Sequence, residues 1–189
     1  MRLIVGITGA SGAIFGLRTL EALKTLNVES HLILSRWSRV TIARETDCSL
    51  EQAEQLASTV YHHDNQAAPV SSGSFRTDGM IIAPCSMKTL AAIRSGYGDT
   101  LICRAADVIL KERRKLVLLA RESPLNEIHL ENMLALARMG VTIFPPVPAF
   151  YNRPQTVGEL VDYIVGRVLD QFGLDMPGLS RWSGFQADS

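Results

Sequence analysis

The sequence predicts an α/β protein built on a doubly wound parallel sheet with three layers. Short aliphatic runs alternate with helical repeats, the runs end at glycine, proline or serine, and no polar linker divides the chain. Aliphatic runs that end this way are typical of buried parallel strands, and their alternation with helices is typical of βαβ units. With 189 residues, we expect one domain spanning 1–189, with a C-terminal tail at 173–189.

The first half of the chain opens with strand, glycine-rich turn and helix. Leu3 to Ile7 is an aliphatic run, and leucines then recur at helical spacing up to Leu26. A second strand ends at Ser35, and the polar segment that includes Ser71-Ser72-Gly73-Ser74 predicts a loop. The predicted elements are strands at 3–7 and 30–34, helices at 14–26, 36–45 and 50–57, and a loop at 59–75.

The second half repeats the alternation. Pro84 stops a third strand, and the fourth strand is almost entirely aliphatic. Pro124 begins a helix that Gly140 stops, since proline suits the first helical turn and glycine the position after the last. The predicted elements are strands at 79–83, 115–120 and 141–144, and helices at 86–94, 101–112, 124–139 and 156–172.

Composition excludes several classes of function. Nineteen Lys and Arg balance nineteen Asp and Glu, so nothing favours nucleic acid or an anionic membrane as partner, and a neutral chain mildly favours self-association. No apolar run approaches the roughly 20 residues of a membrane helix, and no signal peptide is recognisable. Three cysteines without framework or metal-ligand spacing are typical of the cytoplasm.

Ligands of open parallel sheets bind outside the carboxyl ends of the strands. At the five predicted ends, small, hydroxyl-bearing or charged residues follow aliphatic strands, which predicts one shared site. These ends are Gly9-Ala10-Ser11-Gly12, Ser35, Pro84 to Thr89, Arg121 to Pro124, and Pro145 to Tyr151.

The first of these loops suits a phosphate. Its glycines let the backbone approach an anion, and the next helix offers free N–H groups and a partial positive charge. It matches neither the dinucleotide nor the Walker A fingerprint, and a tight turn without a ligand explains it equally well. Ser86 is a natural N-cap, so its segment is either a capped helix or a ligand contact.

Charged residues offer further anion contacts, each with a plainer alternative. Arg121 could bind an anion as a planar fork, and Glu122 could act as an acid or base if burial raised its pKa; the alternative is a surface ion pair. Arg104 and Lys111 share a helix face, at a phosphate or in an exposed salt-bridged surface. A further anion site could form from Tyr151, Arg153 and Arg167, although a late helical arginine such as Arg167 also complements the helix dipole.

A metal site is not expected. His62-His63-Asp64 resembles a ligand cluster, but it lies in a predicted polar loop and neighbouring histidines do not easily chelate one ion.

Taken together, these motifs resemble the bacterial UbiX-type flavin prenyltransferases, once called phenylacrylic acid decarboxylases. The matches follow the family's order over nearly the whole chain. They are Gly9-Ala10-Ser11-Gly12, Arg44-Glu45-Thr46-Asp47, Ser72-Gly73-Ser74-Phe75, Pro84 to Leu90, Arg104 to Val108, Leu110-Lys111-Glu112, Arg121-Glu122, Pro145 to Tyr151 and Val168-Leu169-Asp170.

The resemblance implies a flavodoxin-like, Rossmann-like fold that assembles as a homododecamer. It implies metal-independent transfer of the dimethylallyl group of dimethylallyl phosphate to N5 and C6 of reduced FMN. The prenylated FMN would serve a UbiD-type decarboxylase.

The resemblance also assigns residues. Those implied for FMN are Gly9, Ala10, Ser11, Ser35, Ser86, Met87, Lys88, Thr89 and Arg121. Those implied for the prenyl phosphate, some from a neighbouring subunit, are Arg104, Lys111, Arg121, Glu122, Tyr151, Arg167 and the tail residue Trp182. Glu45 would take the proton lost at ring closure, Ser11 would position the flavin, and Lys111 and Glu122 would assist the leaving phosphate.

Two other functions are consistent with a flavin-binding sheet. An FMN-dependent decarboxylase of aromatic or phenylacrylic acids would typically carry an early catalytic histidine and a Pro-x-Met-Asn segment. This chain instead has Pro-Pro-Val-Pro-Ala-Phe-Tyr and no histidine near a predicted strand end. A non-catalytic FMN carrier would lack the second basic cluster.

Overall fold

The computed structural model describes residues 1–179, 181, 182 and 184. Six strands lie within this part: β1 (Arg2–Ile7), β2 (Glu29–Leu34), β3 (Thr59–Tyr61), β4 (Gly79–Cys85), β5 (Lys115–Ala120) and β6 (Thr142–Ile143). The α-helices there are α1 (Ala13–Thr25), α2 (Arg36–Glu45), α3 (Leu50–Gln55), α4 (Met87–Ser95), α5 (Leu101–Lys111), α6 (Glu127–Arg138) and α7 (Val157–Asp170).

The strands form one parallel sheet in the order β3-β2-β1-β4-β5-β6, which confirms the doubly wound prediction. Without the short edge strand β3, the five remaining strands follow the flavodoxin order; with β3 the order is that of Rossmann sheets. In either description the winding reverses between β1 and β4. Sheets of this kind bind ligands at that reversal, so the fold itself points to the space above β1 and β4.

Two hydrophobic cores make the sheet the middle of three layers. Leu3, Val5 and Ile7 of β1 face a core shared with α1, α2, α3 and α7. Ile4 faces the opposite core, which contains residues of α4, α5 and α6. Each of these four β1 side chains is at most 1% exposed, and burying one contributes about 1.5–3 kcal/mol. The strand that leads into the first loop is therefore fixed from both sides.

Three predictions about these elements were wrong. Strand β4 continues through Pro84 to Cys85, although we expected Pro84 to stop it, because an irregularity in the pairing with β5 after Ile82 accommodates the proline. Thr59 to Tyr61 forms β3 beside β2, although we expected a loop there. The strand has only three residues and a half-buried edge position, so it lacks the aliphatic run that marks the others. Helix α6 begins at Glu127 rather than at Pro124, because Asn126 caps it by accepting a hydrogen bond from the His129 amide.

No helix in the part of the chain that the structure describes has both the length and the apolarity to cross a bilayer. Of the tail expected at 173–189, residues 180, 183 and 185–189 lie outside the described residues.

Candidate active site

A cleft of about 960 Å³ opens at the carboxyl ends of the strands. It lies at the reversal between β1 and β4, where the sheet topology directs a ligand. Five of the predicted site residues line it: Gly9, Ser35, Ser86, Lys88 and Thr89. Met87 does not contribute its side chain, because that side chain packs into the core beneath α4.

Thr8 ties the two central strands together at the floor of this cleft. Its buried hydroxyl donates to the Pro84 carbonyl oxygen at 2.7 Å and accepts from the Ser86 amide at 2.9 Å. This residue was missed in the sequence, where it was only the first loop residue after the aliphatic run that ends at Ile7. Its signal was the hydroxyl itself, since a buried hydroxyl requires a hydrogen-bonding partner.

Two helices direct hydroxyl-capped N-termini into the cleft. Ser35 caps α2 by accepting from the Ser38 amide at 3.0 Å. Ser86 caps α4 by accepting from the Thr89 amide at 3.3 Å, which confirms the predicted N-cap, and its hydroxyl lies 3.1 Å from that of Thr89. Helix N-termini carry partial positive charge, so this wall of the cleft suits an anionic or strongly hydrogen-bonding ligand.

Trp37 forms part of the cleft wall and explains one glycine of the first loop. It lines the cleft and is 70% exposed. A Cβ atom at position 9 would overlap the Cβ of Trp37, so only glycine fits there. The sequence reasoning missed Trp37, although an aromatic residue two positions after the strand-end Ser35 was a visible signal.

The carboxylate of Glu45 occupies the N-terminus of α1. Its Oε2 accepts hydrogen bonds from the amides of Gly12 at 2.8 Å and Ala13 at 3.1 Å. Gly12 takes up the left-handed φ of 100° that glycine readily adopts. We expected these N–H groups to be free for a phosphate, and that was wrong: α2 ends at Glu45 and brings its carboxylate onto them.

Opposing effects set the protonation state of Glu45. Burial raises its pKa, but the amides of Gly12 and Ala13, the hydroxyl of Ser11 and the positive charge of Arg121 together lower the pKa below that of an ordinary glutamate. The structure thus brings Ser11, Glu45 and Arg121 into one electrostatic group, with the carboxylate ionised.

Arg121 and Glu122 follow β5 at the neighbouring strand end. The Arg121 amide donates to the Cys85 carbonyl oxygen at 3.1 Å, which fixes its backbone beside β4. Within the described residues its guanidinium makes no hydrogen bond or ion pair. Glu122 is exposed, and its Oε1 accepts from the Ser123 amide at 3.0 Å. The burial that an acid at position 122 would require is therefore not present in one chain.

The cations of α5 form a separate group. Arg104 donates from Nε to the Ser71 carbonyl oxygen at 3.1 Å and pairs with Asp107 at 2.7 Å. Lys111 pairs with its neighbour Glu112. None of these partners lines the cleft. Within one chain, the structure does not bring Arg104 or Lys111 to the residues of the first loop.

A third group lies around Tyr151. Its hydroxyl is hydrogen-bonded to that of Tyr163, a contact that raises the pKa of Tyr151. The Trp182 ring meets the Tyr151 ring edge-on, with centroids 5.3 Å apart. Arg167 pairs with Asp170 at 3.1 Å. Tyr151 thus contacts Trp182, and the charge of Arg167 acts on the Tyr151 hydroxyl.

His63 lines the cleft. It follows β3, a strand that was not predicted, so it was not among the residues expected near the predicted strand ends. Its Nε2 accepts from Arg36 Nε at 2.6 Å, and burial lowers its pKa. Potential ligand atoms of His62, His63 and Asp64 lie within 4.8 Å of one another, closer than we expected for neighbouring histidines. However, Arg36 also pairs with Asp64 at 2.9 Å, so a guanidinium already supplies the positive charge there.

Comparison with known proteins assigns this chain to a family. Residues 1–169 match the flavoprotein family model. A probable UbiX-like flavin prenyltransferase of Bacillus subtilis (strain 168) is 61% identical over 186 residues, covering 98% of this chain and 91% of the relative.

Two solved structures are similar to this chain in both sequence and fold. The dodecameric FMN-dependent UbiX-like decarboxylase from Escherichia coli O157:H7 has a TM-score of 0.96 at 59% identity, covering 97% of this chain and 100% of the other. AnUbiX (PadA1), in complex with FMN and dimethylallyl pyrophosphate, has a TM-score of 0.97 at 56% identity, covering 98% of each chain. This chain therefore belongs to the flavoprotein family and, within it, to the UbiX-like flavin prenyltransferases.

Proposed function

We propose that this chain is a flavin prenyltransferase that transfers the dimethylallyl group of dimethylallyl phosphate to N5 and C6 of reduced FMN. The observation that carries the proposal is the ionised Glu45 carboxylate, held on the α1 N-terminus beside the cleft. A prenyl transfer that closes a new ring must remove a proton at the end, and a fixed carboxylate can accept it.

The cleft residues fit FMN. Capped N-termini at Ser35 and Ser86, the Thr89 hydroxyl and the side-chain-free backbone of Gly9 offer donors and close approach. We propose that Ala10, Ser11, Lys88, Arg121 and the backbone of Met87 complete the binding site. Reduced FMN supplies the nucleophilic positions. These residues would orient it, and Glu45 would accept the proton released at ring closure.

The donor requires cations for its leaving phosphate and a water-poor surface for its allylic part. Arg121 lies next to Glu45, and we propose that Arg104, Lys111, Tyr151 and Arg167 bind the phosphate while Glu122 donates a proton to it. Fixed cations in place of a metal can stabilise the charge that develops as the allylic C–O bond breaks. Trp182 would cover the apolar part of the donor.

These donor residues lie in three groups within one chain, so we propose that the complete site forms between subunits of a homododecamer. The Escherichia coli structure is dodecameric. Exposed apolar side chains here also suit subunit contacts, because patches of this kind mark interfaces. They include Ile128 (65%), Leu134 (52%), Val147 (71%) and Phe150 (69%).

The product would be a cofactor for a UbiD-type decarboxylase. The cytoplasm is the proposed compartment, because Cys48, Cys85 and Cys103, all of the chain's cysteines, are free thiols. We also propose that 1–189 acts as a single unit, with its tail part of the site.

The Escherichia coli structure is that of an FMN-dependent UbiX-like decarboxylase, so an FMN-dependent decarboxylase is the alternative function. His63 is the histidine that such chemistry could use. Its Nε2 already accepts from Arg36, so Nδ1 carries the ring proton, and Nδ1 is buried with no partner among the described residues. Neither nitrogen is therefore available as a base toward the cleft. A non-catalytic FMN carrier would have no use for the cations of α5 and α7.

Anaerobic incubation of the full chain with reduced FMN and dimethylallyl phosphate tests the proposal. Mass analysis of the released flavin should show the gain of one prenyl unit. A parallel incubation with dimethylallyl pyrophosphate tests the donor. If bound FMN is recovered unmodified with both donors, while a known prenyltransferase works in the same buffer, the proposal is wrong.

A further inference from the structure

The segment after α7 folds back onto the core. Met176 is 9% exposed and belongs to the core cluster shared by α1 and α7. Further along, the Leu179 side chain lies over Gly166: a Cβ atom at position 166 would be only 2.7 Å from Leu179 Cδ2. Because Gly166 has no side chain, the Leu179 side chain can pack at this position.

Arg181 then holds the segment against α7 through hydrogen bonds. Its two terminal nitrogens donate to the two oxygens of Asp170 at 3.0 and 2.8 Å, and one of them also reaches Asp175 at 2.6 Å. Two parallel bonds from a guanidinium to a carboxylate fix orientation as well as distance. The hydrogen bond from Arg181 is the largest reason that the pKa of Asp170 lies below its ordinary value.

The Arg181–Asp170 interaction is linked directly to the group around Tyr151. Asp170 also pairs with Arg167 at 3.1 Å, so one carboxylate holds both arginines. The residue after Arg181 is Trp182, whose ring meets the Tyr151 ring at 76° with centroids 5.3 Å apart. Edge-on contacts of this kind are favourable but weak. The Trp182 contact thus depends on where the preceding residue is held.

We propose that Gly166, Asp170 and Arg181 are positioning residues that seat Trp182 against Tyr151 and orient Arg167 toward the prenyl phosphate. The proposal rests on the proposed function, because it takes Tyr151 and Arg167 to be donor contacts. It adds three residues that act through Trp182, Tyr151 and Arg167, and it gives the tail a defined docked position.

Steady-state kinetics of two variants test this positioning role. Arg181→Gln removes the fork, and Gly166→Ala makes Leu179 move while alanine favours the helix interior more than glycine does. Half-exposed ion pairs contribute little free energy, so the loss of positioning should be moderate. We therefore expect the KM for dimethylallyl phosphate to rise about three- to fivefold in each of the two variants. The affinity for FMN should not change, and Arg181→Lys, which keeps the charge but not the fork, should recover part of the loss.

Arg76→Gln is the matched control, because this residue is exposed and, among the described residues, only its carbonyl oxygen makes a hydrogen bond. Its KM should equal that of the wild type, and the melting temperature of Gly166→Ala should not fall. An unchanged KM in both Arg181→Gln and Gly166→Ala would overturn the proposal, as would an equal loss of FMN affinity, which would indicate general damage.

Tryptophan fluorescence of the full chain without flavin tests tail docking separately from turnover. Trp37 and Trp182 are the two tryptophans, and Trp182→Phe identifies the signal of the second. We expect a red shift of the Trp182 emission in Arg181→Gln and in Gly166→Ala; an unshifted emission would refute the docking role. If the wild type lacks prenyl transfer, the proposed function fails, and calorimetric titration with dimethylallyl phosphate then replaces KM as the measure of donor binding.

Discussion

The first loop and the cationic groups of α5 and α7 were both assigned to one site, yet they are built differently. Around the loop, Thr8 joins β1 to β4 and Glu45 joins α2 to α1, so contacts between distant elements of one chain fix the geometry. Arg104, Lys111 and Arg167 instead form their ion pairs with residues only one to three positions away in the sequence. We therefore propose that folding of one chain completes the flavin half of the site, whereas the donor half depends on assembly.

The largest expected effect comes from removing the base in the completed half. Glu45→Gln keeps an oxygen that can accept from the Gly12 and Ala13 amides, but an amide cannot take up the proton. We expect product formation to fall by about 10²- to 10⁴-fold, with FMN still bound, in stopped assays analysed by mass. Glu51→Gln, another exposed glutamate on a nearby helix, is the control and should be fully active. Loss of FMN binding in Glu45→Gln would show that the carboxylate is structural.

Mixing two defective variants tests the other half. Lys111→Gln should reduce donor turnover about tenfold or more, because an electrostatic contact to the leaving phosphate is lost. Co-assembled with Glu45→Gln, it should recover about a quarter of wild-type activity if cleft and α5 cation come from different subunits combined at random. Separately purified variants mixed without reassembly are the control. Recovery no greater than the sum of the two variants would place both residues in one chain's site.

A smaller effect is expected from Gly9→Ala, which tests how tightly the loop is built. The new Cβ would overlap that of Trp37, so the loop must shift at a cost of about 1–3 kcal/mol. Thermal unfolding and FMN titration should both show the loss. Gly98→Ala is the matched control, since the nearest atom to its Cβ would lie at an ordinary 3.8 Å. Equal stability of the two variants would mean that Trp37 yields and the loop is loose.

The same contrast separates what the sequence could predict from what it could not. Five strands, the winding of the sheet and the Ser86 cap follow from local patterns, and the structure confirms them. The seat of Glu45 on α1 depends on two residues more than thirty positions apart, and no local pattern marks such a pair. The sequence analysis missed both strand β3 and the cleft position of His63, which follows it. A three-residue edge strand is too short to show a periodic pattern.

The smallest expected effect is a shift in pH dependence. Because the pKa of Glu45 is lowered in the folded chain, its carboxylate stays ionised below the pKa of about 4.3 of a free glutamate. The stability that it contributes is present above that value and is lost as pH falls through the folded pKa. The acidic limb of kcat/KM should therefore lie below about 4.3. Ser11→Ala removes one of the lowering contacts, so it should move the limb to higher pH while Ser95→Ala does not. A limb that stays in place would mean that the backbone amides and Arg121 alone hold Glu45 ionised.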